Sequence, residues 1–562
     1  MQIVLKRNID LHNIGAENIY NQCIGFEIKP QVITVLIRFR TNVMFNVKIL
    51  LPLLIVLASA HGYRILGLFP HPGLSHFKVF HPIMRSLAND GHHVTVVSYF
   101  PDDDPLPNYH DLRFEGQEIL TNAFSLENFE GRTFVDNFKE FYELAAWGVS
   151  SCTAALNSSA IDEVLETHHK APFDVVVMEF FATDCMAGIT WMLQVPLVGL
   201  SSCALMPWHY DRVGLPDTPS YIPSEFSTFS EEMSFLERAE NWLVTRLVKN
   251  LYRIVQMSDN RLLQAKFPNA GIPDVNEIVA NTSLILVNQH YSLSGARPLV
   301  PSVIEIGGVH IKDIQPLPTE LQQIVDDAAN GVIVVSFGSV LKASTLPNRK
   351  RAAMMEAFQH FDKRVVWKWE ENMENQPANV FTQKWLPQRD VLCNKNVRLF
   401  VSHGGLLGVS EAVHCGVPVV AMPIYGDQFL NAAALVNRGV GVRMDYENVH
   451  NVSYVVDCIR EGLSARKKEN AQALAKAYNN RPQPPLDLAL WSIINVIENG
   501  AMRYERSYAS KLPLYIYHSF DVLAMFLFLF ATVILLLSYC SWKICCKKDA
   551  RTKKRLNKQK RS

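Results

Sequence analysis

His403 stands directly before the pair Gly404-Gly405, and the next residues, Leu406 to His414, contain no proline and stop at Cys415-Gly416. A helix that starts at such a glycine turn presents unpartnered backbone N–H groups and the positive end of its dipole, which together favour a phosphate. The glycines let an anion approach the backbone closely, and His403 aims a side-chain donor at the same place. Glu411, two turns along that helix, is an acceptor suited to ribose hydroxyls on the rim of one crevice. Asp427 and Gln428 follow the next apolar run and offer acceptors and donors that suit sugar hydroxyls.

A histidine far upstream fits a different task. His76 falls at the start of a segment, Phe77 to Leu87, whose apolar residues Phe80, Ile83, Met84 and Leu87 recur at helical spacing. The helix dipole at that end disfavours a charged imidazole, leaving a neutral ring that can accept a proton as a general base. His81, His92 and His93 lack this placement and read as surface or structural residues. Asp102-Asp103-Asp104 has the look of a metal-holding acidic motif, but Pro105-Leu106-Pro107 follows, so it reads as a solvated loop and no metal site is assigned.

The elements that must position these residues repeat a pattern. Val397 to Ser402 is an apolar run suited to a buried parallel strand, and Val417 to Met422 is another beyond the helix that Gly416 caps. Strand, glycine turn, helix and strand make a βαβ unit. Arg64 to Phe69, the helix Phe77 to Leu87 that Gly91 ends, and Val94 to Phe100 make a second opening of the same kind, so the amino half has its own parallel sheet. Residues 200 to 300 read as mostly helical, with Phe235 to Gln256 amphipathic. Val332 to Ser336 starts the second sheet, Pro482 to Pro485 marks a break, and Leu486 to Glu498 reads as a closing helix packing back on the amino half.

The stretch from Val397 to Ala432, VRLFVSHGGLLGVSEAVHCGVPVVAMPIYGDQFLNA, closely resembles the signature of the UDP-glycosyltransferases, the family of glucosyl- and glucuronosyltransferases of detoxification. The resemblance covers nearly everything from Arg64 to Tyr539. It implies that His403, Gly404 and Gly405 hold the diphosphate, Glu411 the ribose, and Asp427 with Gln428 the donor sugar. It further implies that Trp385 in KWLPQRDVL stacks on uracil, that Gln388 reads the base edge, and that the turn Ser336 to Ser339 in VVSFGS, with Gly338 and Ser339, also contacts phosphate. Val303 to His310 resembles the link into the donor domain, and residues 200 to 300 the acceptor pocket. The Ser75-His76 pair matches the family's catalytic histidine, which the family usually supports with a strand-end Asp. Here the matching strand in FDVVVMEFFATDC ends on Glu179, with Asp184 five residues on; Glu179 is favoured by position and Asp184 stays a second candidate.

Charge and hydropathy place the chain. Its 562 residues balance to a formal net charge of zero, yet residues 543–562 hold ten Lys or Arg against Asp549, so the rest is mildly acidic and no nucleic-acid partner is expected. Val522 to Trp542 is uncharged and long enough to cross a bilayer, and the basic tail after it is expected in the cytoplasm. Lys558 to Ser562 resembles a lysine-based retrieval signal for the endoplasmic reticulum. Ile49 to Ala60, closed by Ala58-Ser59-Ala60, reads as a signal peptide. Six of the ten cysteines would face an oxidising lumen without forming an evident disulfide framework, and Asn157, Asn281 and Asn451 begin glycosylation sequons.

The expected organisation is therefore an extension over 1–43, with Met44 the expected start, a signal peptide over 44–60, and an acceptor-binding Rossmann-like domain over 61–300. A UDP-sugar-binding Rossmann-like domain follows over 301–480, then returning helices over 481–521, a transmembrane helix over 522–542 and a basic tail over 543–562. The fold class is α/β, two facing Rossmann-like domains of the GT-B type. The expected activity is inverting transfer of a hexosyl group from a UDP-sugar, taken as a co-substrate with no cofactor, to a hydroxyl of a small lipophilic acceptor. Glucose is preferred because no basic residue adjoins Asp427-Gln428 to meet a uronate. The membrane is the other partner, and homo-oligomerisation stays open. A catalytically silent nucleotide-sugar binder is the alternative reading, and a glycoside hydrolase finds no assignable carboxyl pair.

Overall fold

The computed structural model describes residues 62–129, 132–500 and 507–560. The extension, Met44 and the signal segment lie outside the described residues. Two parallel sheets carry the chain. The first has seven strands: β1 (Arg64–Leu68), β2 (His93–Ser98), β3 (Tyr109–Arg113), β5 (Val175–Glu179), β6 (Leu197–Ser201), β7 (Leu284–Val287) and β8 (Val303–Glu305). Their spatial order is β3-β2-β1-β5-β6-β7-β8, so the winding reverses between β1 and β5. The second has six: β9 (Val332–Ser336), β11 (Arg364–Lys368), β12 (Val380–Gln383), β13 (Val397–Ser402), β14 (Val419–Ala421) and β15 (Gly441–Arg443). Its order β12-β11-β9-β13-β14-β15 reverses between β9 and β13. Ligands of open α/β sheets bind at the carboxyl ends of such reversal points.

The strands are apolar on both faces because both faces are covered. In the first sheet Leu66, Leu68, Val176 and Met178 pack into one core, while Ile65, Val175 and Val177 pack into another with Phe77, Val79 and Phe80 of helix α1 (Leu74–Asn89). In the second, Val332, Val334 and Phe400 face one core and Ile333, Val335, Leu399 and Val401 the other. Helix α1 starts earlier than the Phe77 expected from periodicity, with Gly73 as its cap, so His76 lies inside the first turn. Helix α2 (Asp136–Asn157) packs against the long helix α3 (Phe235–Lys266), which runs ten residues past its expected end. Val303–Glu305, expected within a link, is instead the edge strand β8.

Helix α4 (Leu406–Cys415) follows β13 and ends on Gly416 at φ +67°, as the sequence pattern requires. Helix α5 (Gln428–Asn437) follows β14. Helix α6 (Pro485–Asn499) sends Ala489, Ile493 and Val496 into the core beneath α1 and the first sheet. The chain closes with α7 (Phe520–Gln559), a helix long and apolar enough over Phe520–Lys554 to cross a membrane.

Short links between the halves lie beside the cleft. The two-residue strands β4 (Phe124–Ser125) and β10 (Leu341–Lys342) pair in parallel, one from each half of the chain. Asn122 N–H donates to Ser339 O at 2.8 Å and Leu126 N–H to Thr345 Oγ1 at 2.8 Å beside them.

Two disulfides form where no framework was evident: Cys152–Cys185, and Cys393–Cys415 with Cα atoms 4.8 Å apart. The second ties the end of the short helix Gln388–Leu392 to the end of α4. Closing a loop of this length stabilises by about 3 kcal/mol. A Cys393→Ser/Cys415→Ser variant is accordingly expected to unfold at a lower temperature than the parent under oxidising conditions. An unfolding midpoint that neither dithiothreitol nor the double substitution moves would show that the bond contributes nothing.

Candidate active site

The carboxyl ends of both sheets open onto one cleft of about 1200 Å³. His76 lines it from the amino half; Ser336, Gly338, Ser339, Trp385, Gln388, His403, Gly405, Glu411, Asp427 and Gln428 line it from the carboxyl half. Glu179 stands just behind the wall in contact with His76, and Gly404 lies between His403 and Gly405, which both form it. The two histidines singled out from sequence therefore share a groove.

β1 and β5 are neighbours, with Leu68 opposite Met178, so the residue closing β5 faces the turn after β1. Glu179 Oε1 lies 2.6 Å from His76 Nδ1, and Ser202 Oγ, just past β6, lies 2.9 Å from the same nitrogen. His76 Nε2 has no hydrogen-bond partner among the described residues. Burial holds the His76 imidazole far below its ordinary pKa, at about 3, and pushes the Glu179 carboxyl up to about 7. Burial thus adds to the helix-start placement read from sequence in keeping the ring neutral. With Glu179 ionised, Nδ1–H donates to it and the Nε2 lone pair is free for a proton from the cleft. With Glu179 protonated the bond runs the other way, the ring proton sits on Nε2, and the base is lost.

Asp184, the second candidate for orienting His76, is committed elsewhere. Both its oxygens accept from Arg212 Nη2 at 2.8 Å, and Oδ2 also accepts from Gln256 Nε2 at 2.9 Å, in a fully buried network. Its carboxylate neutralises Arg212 and ties the helix after β5 to α3. Asp103 and Asp104 are exposed, as expected of a solvated loop, but the Asp102 side chain is tucked in, paired with Arg85 and 2.9 Å from His81 Nε2.

Across the cleft, Ser402 is in register with Ser336, which brings the turns after β13 and β9 together. Gly338 (φ +79°) packs so tightly that a Cβ there would lie 2.7 Å from the His403 ring. Gly404 (φ +86°) leads into Gly405, the residue that caps α4. Burial, followed by the nearby Lys368 ammonium, lowers His403 to about 4, so it too is neutral. Lys368, at the end of β11, donates to Gly338 O at 2.9 Å and Glu370 Oε1 at 3.0 Å, placing a buried cation behind the Ser336–Ser339 turn.

Further along the wall, Trp385 is 54% exposed, an uncommon state for a tryptophan inside a fold, with Lys78 Nζ 4.8 Å from its ring centre. Gln388 Nε2 donates to Glu411 at 2.7 Å, and burial raises the Glu411 carboxyl to about 6. Asp427 precedes α5 and accepts from Asn431 Nδ2 at 3.0 Å; Gln428 Oε1 accepts from Ile424 N–H at 2.9 Å, leaving its amide hydrogens as donors. The arrangement offers dipole and N–H groups for an anion, a flat exposed ring, hydroxyl-binding groups and a poised base.

Sequence reasoning missed Ser202 and Lys368, which a rule attending to every residue at a strand's carboxyl end would have found. It also missed His71, a half-buried ring 4.5 Å from His76 on the cleft wall, and α2, which places Leu144 and Trp147 in the cleft beside Phe124 and Phe129.

Residues 107–556 match the family described as "UDP-glucoronosyl and UDP-glucosyl transferase". The chain is 34% identical over 501 residues to UDP-glucosyltransferase 2 of Dactylopius coccus, covering 88% of this chain and 96% of that one. It is 29% identical over 546 residues to UDP-glucuronosyltransferase 1A3 of Rattus norvegicus, covering 91% and 97%. Among solved structures, Phytolacca americana UGT2 complexed with UDP-2fluoro-glucose and pterostilbene has the same fold, with a TM-score of 0.53 and 14% identity over 78% of this chain and all of that one.

Two substitutions separate the carboxylates. Glu179→Gln is expected to slow any step that begins with proton loss to His76 by about 10²- to 10⁴-fold. The parent's rate should climb with pH through about 7, as Glu179 ionises, and the variant should lose that limb. Asp184→Ala instead leaves Arg212 buried and unpaired, at a cost of about 3–5 kcal/mol of stability, with the limb retained in whatever protein folds. A pH profile unchanged by Glu179→Gln would contradict the pairing.

Proposed function

This chain belongs to the family of UDP-glucuronosyl and UDP-glucosyl transferases, and from that premise we propose that it transfers glucose from UDP-glucose to a hydroxyl of a small lipophilic acceptor, with inversion. The observation that carries the reading is the shared cleft: His76, backed by Glu179 at 2.6 Å, on one side and the His403–Gly405 helix start on the other. His76 Nε2 takes the acceptor proton while the oxygen attacks the anomeric carbon from the face opposite UDP. The bond to the diphosphate breaks as the new one forms, so configuration inverts. The charge left on UDP is met by the N–H groups at the start of α4, with the Lys368 ammonium behind the facing turn.

The donor roles follow the walls. Uracil stacks on Trp385 with Gln388 at its edge, the ribose hydroxyls reach Glu411, and the hexose lies against Asp427 and Gln428. Glucose is supported by the higher identity to the relative named UDP-glucosyltransferase 2, 34% against 29% for UDP-glucuronosyltransferase 1A3, and by Arg132, a cation near the cleft that is already committed to Glu140 at 2.7 Å. The acceptor side is apolar where α2 and the 200–300 segment supply Leu144, Trp147, Met206 and Phe226, which suits a lipophilic alcohol or phenol. No resident cofactor or metal is assigned. Helix α7 fits a membrane anchor; we place it in the endoplasmic reticulum, with the cleft luminal and the basic tail cytoplasmic.

Incubating membranes that carry the protein with a panel of UDP-sugars and a simple phenol tests the reading directly. UDP release and a β-linked glucoside are expected from UDP-glucose. His76→Ala should abolish that release while UDP still binds. Turnover that survives the substitution would remove His76 as the base, and a parent protein that binds UDP-sugars but never turns them over would be a silent binder.

A further inference from the structure

The segment between the first sheet and α3 places one more ionisable group in the cleft, which the transfer described above does not use. Glu225 is 94% buried by its 6% residual exposure, yet its side chain reaches the cleft wall and finds no hydrogen-bond partner among the described residues. Its backbone, in contrast, is pinned on both sides. Asn241 of α3 accepts from Ser224 N–H at 2.7 Å and donates to Pro219 O and Ile222 O. Arg132 Nη2 donates to Phe226 O at 2.7 Å, and the Phe226 ring sits in the core against Phe141 and Trp208. A carboxyl this firmly held and this poorly satisfied is positioned for something that enters.

What it faces indicates the visitor. Asp427, from the opposite half of the chain, is its strongest electrostatic neighbour, and Glu140 is close enough to act on Asp427 in turn. The one opposing cation near Glu225, Arg297, spends its terminal nitrogens on Tyr210 Oη and Ser294 O. Arg132 is bound to Glu140 and Asn137. Burial, followed by repulsion from Asp427, pushes the Glu225 carboxyl up to about 8, and burial, with a smaller contribution from Glu140, pushes Asp427 up to about 6. The end of the cleft that holds Asp427 therefore gathers three acids, Glu140, Glu225 and Asp427, of which Glu140 has Arg132 as its ion-pair partner.

Resting on the assignment of the donor hexose to Asp427 and Gln428, we propose that Glu225 is a third wall of the sugar subsite and selects a neutral hexose over a uronic acid. Its carboxyl exchanges hydrogen bonds with a hexose hydroxyl, which can both donate and accept. A hexuronate brings a further negative charge beside these carboxyls. Selectivity of this kind comes from an unfavourable contact with the wrong ligand as much as from a good one with the right ligand.

Calorimetric titration of the detergent-solubilised full-length protein with UDP, UDP-glucose and UDP-glucuronate, for the parent, Glu225→Gln and Glu225→Ala, provides the test without requiring turnover. The parent should bind UDP-glucose more tightly than UDP-glucuronate. At pH 9, where Glu225 is ionised, Glu225→Gln should move the ratio of the two affinities toward UDP-glucuronate by about tenfold or more, while the affinity for UDP itself stays put; at pH 7, where the parent carboxyl is protonated, the shift should shrink. Retained UDP binding shows that a variant is folded, and Glu225→Ala should shift the ratio in the same direction. A ratio unmoved in both UDP-binding variants, or a parent that prefers UDP-glucuronate, overturns the proposal. Loss of phenol glucosylation with the affinity shift intact would count against the transfer reading alone.

Discussion

One proton has to be divided between His76 and Glu179, and the rest of the amino half can be understood as the apparatus that settles the division. The pair is 2.6 Å apart, with Glu179 buried and His76 largely so, and each group depends on the other for its charge state. The separation is set by backbone. β1 and β5 are adjacent strands with Leu68 against Met178, and α1 begins six residues after β1, at the reversal of strand order. Both faces of those strands are packed, with residues such as Leu66 and Val177 fully excluded from solvent. A shift of either strand by one residue would exchange its two faces as well as break the contact.

The carboxyl half repeats that logic with backbone in place of side chains. Its strand reversal sets two turns side by side, and Gly338 and Gly405 are small because the His403 ring lies within 3 Å of where a side chain on either would begin. Between the halves, the β4–β10 pair and the bonds from Asn122 and Leu126 join the loop before α2 to the very turn that ends in Ser339. The distance across the cleft is therefore governed by hydrogen-bonded main chain near the reacting centre and not only by a remote hinge.

Much of this was legible in sequence where a residue's role is local. The run Val397–Ser402, its glycine turn and the helix ending at Gly416 are specified by short-range rules, and the strand and helix fall where those rules put them. Relations between distant segments were not legible. Glu179 and Asp184 differ by five positions, yet one meets His76 and the other meets Arg212, because Asp184 opens the next helix on the far side of the strand end. Nothing local could show that α2 would form part of the cleft, that Asp102 would find Arg85, or that Cys393 would reach Cys415. Periodicity misjudged α1 by three residues at its start because Leu74, Ser75 and His76 bear no apolar stripe, while Gly73 caps the helix through its backbone alone.

On the proposed placement of uracil at Gln388 and ribose at Glu411, the hydrogen bond between these two residues bears on how a nucleoside would be read. In the resting cleft these two groups satisfy each other, so a ligand fragment that engages only one of them strands its companion in a poorly solvated wall. A base without its pentose, or a pentose without its base, thus meets resistance that the intact nucleoside escapes by supplying partners to both at once. Affinity across this wall is then all-or-nothing in character, and the two moieties are read as a single unit.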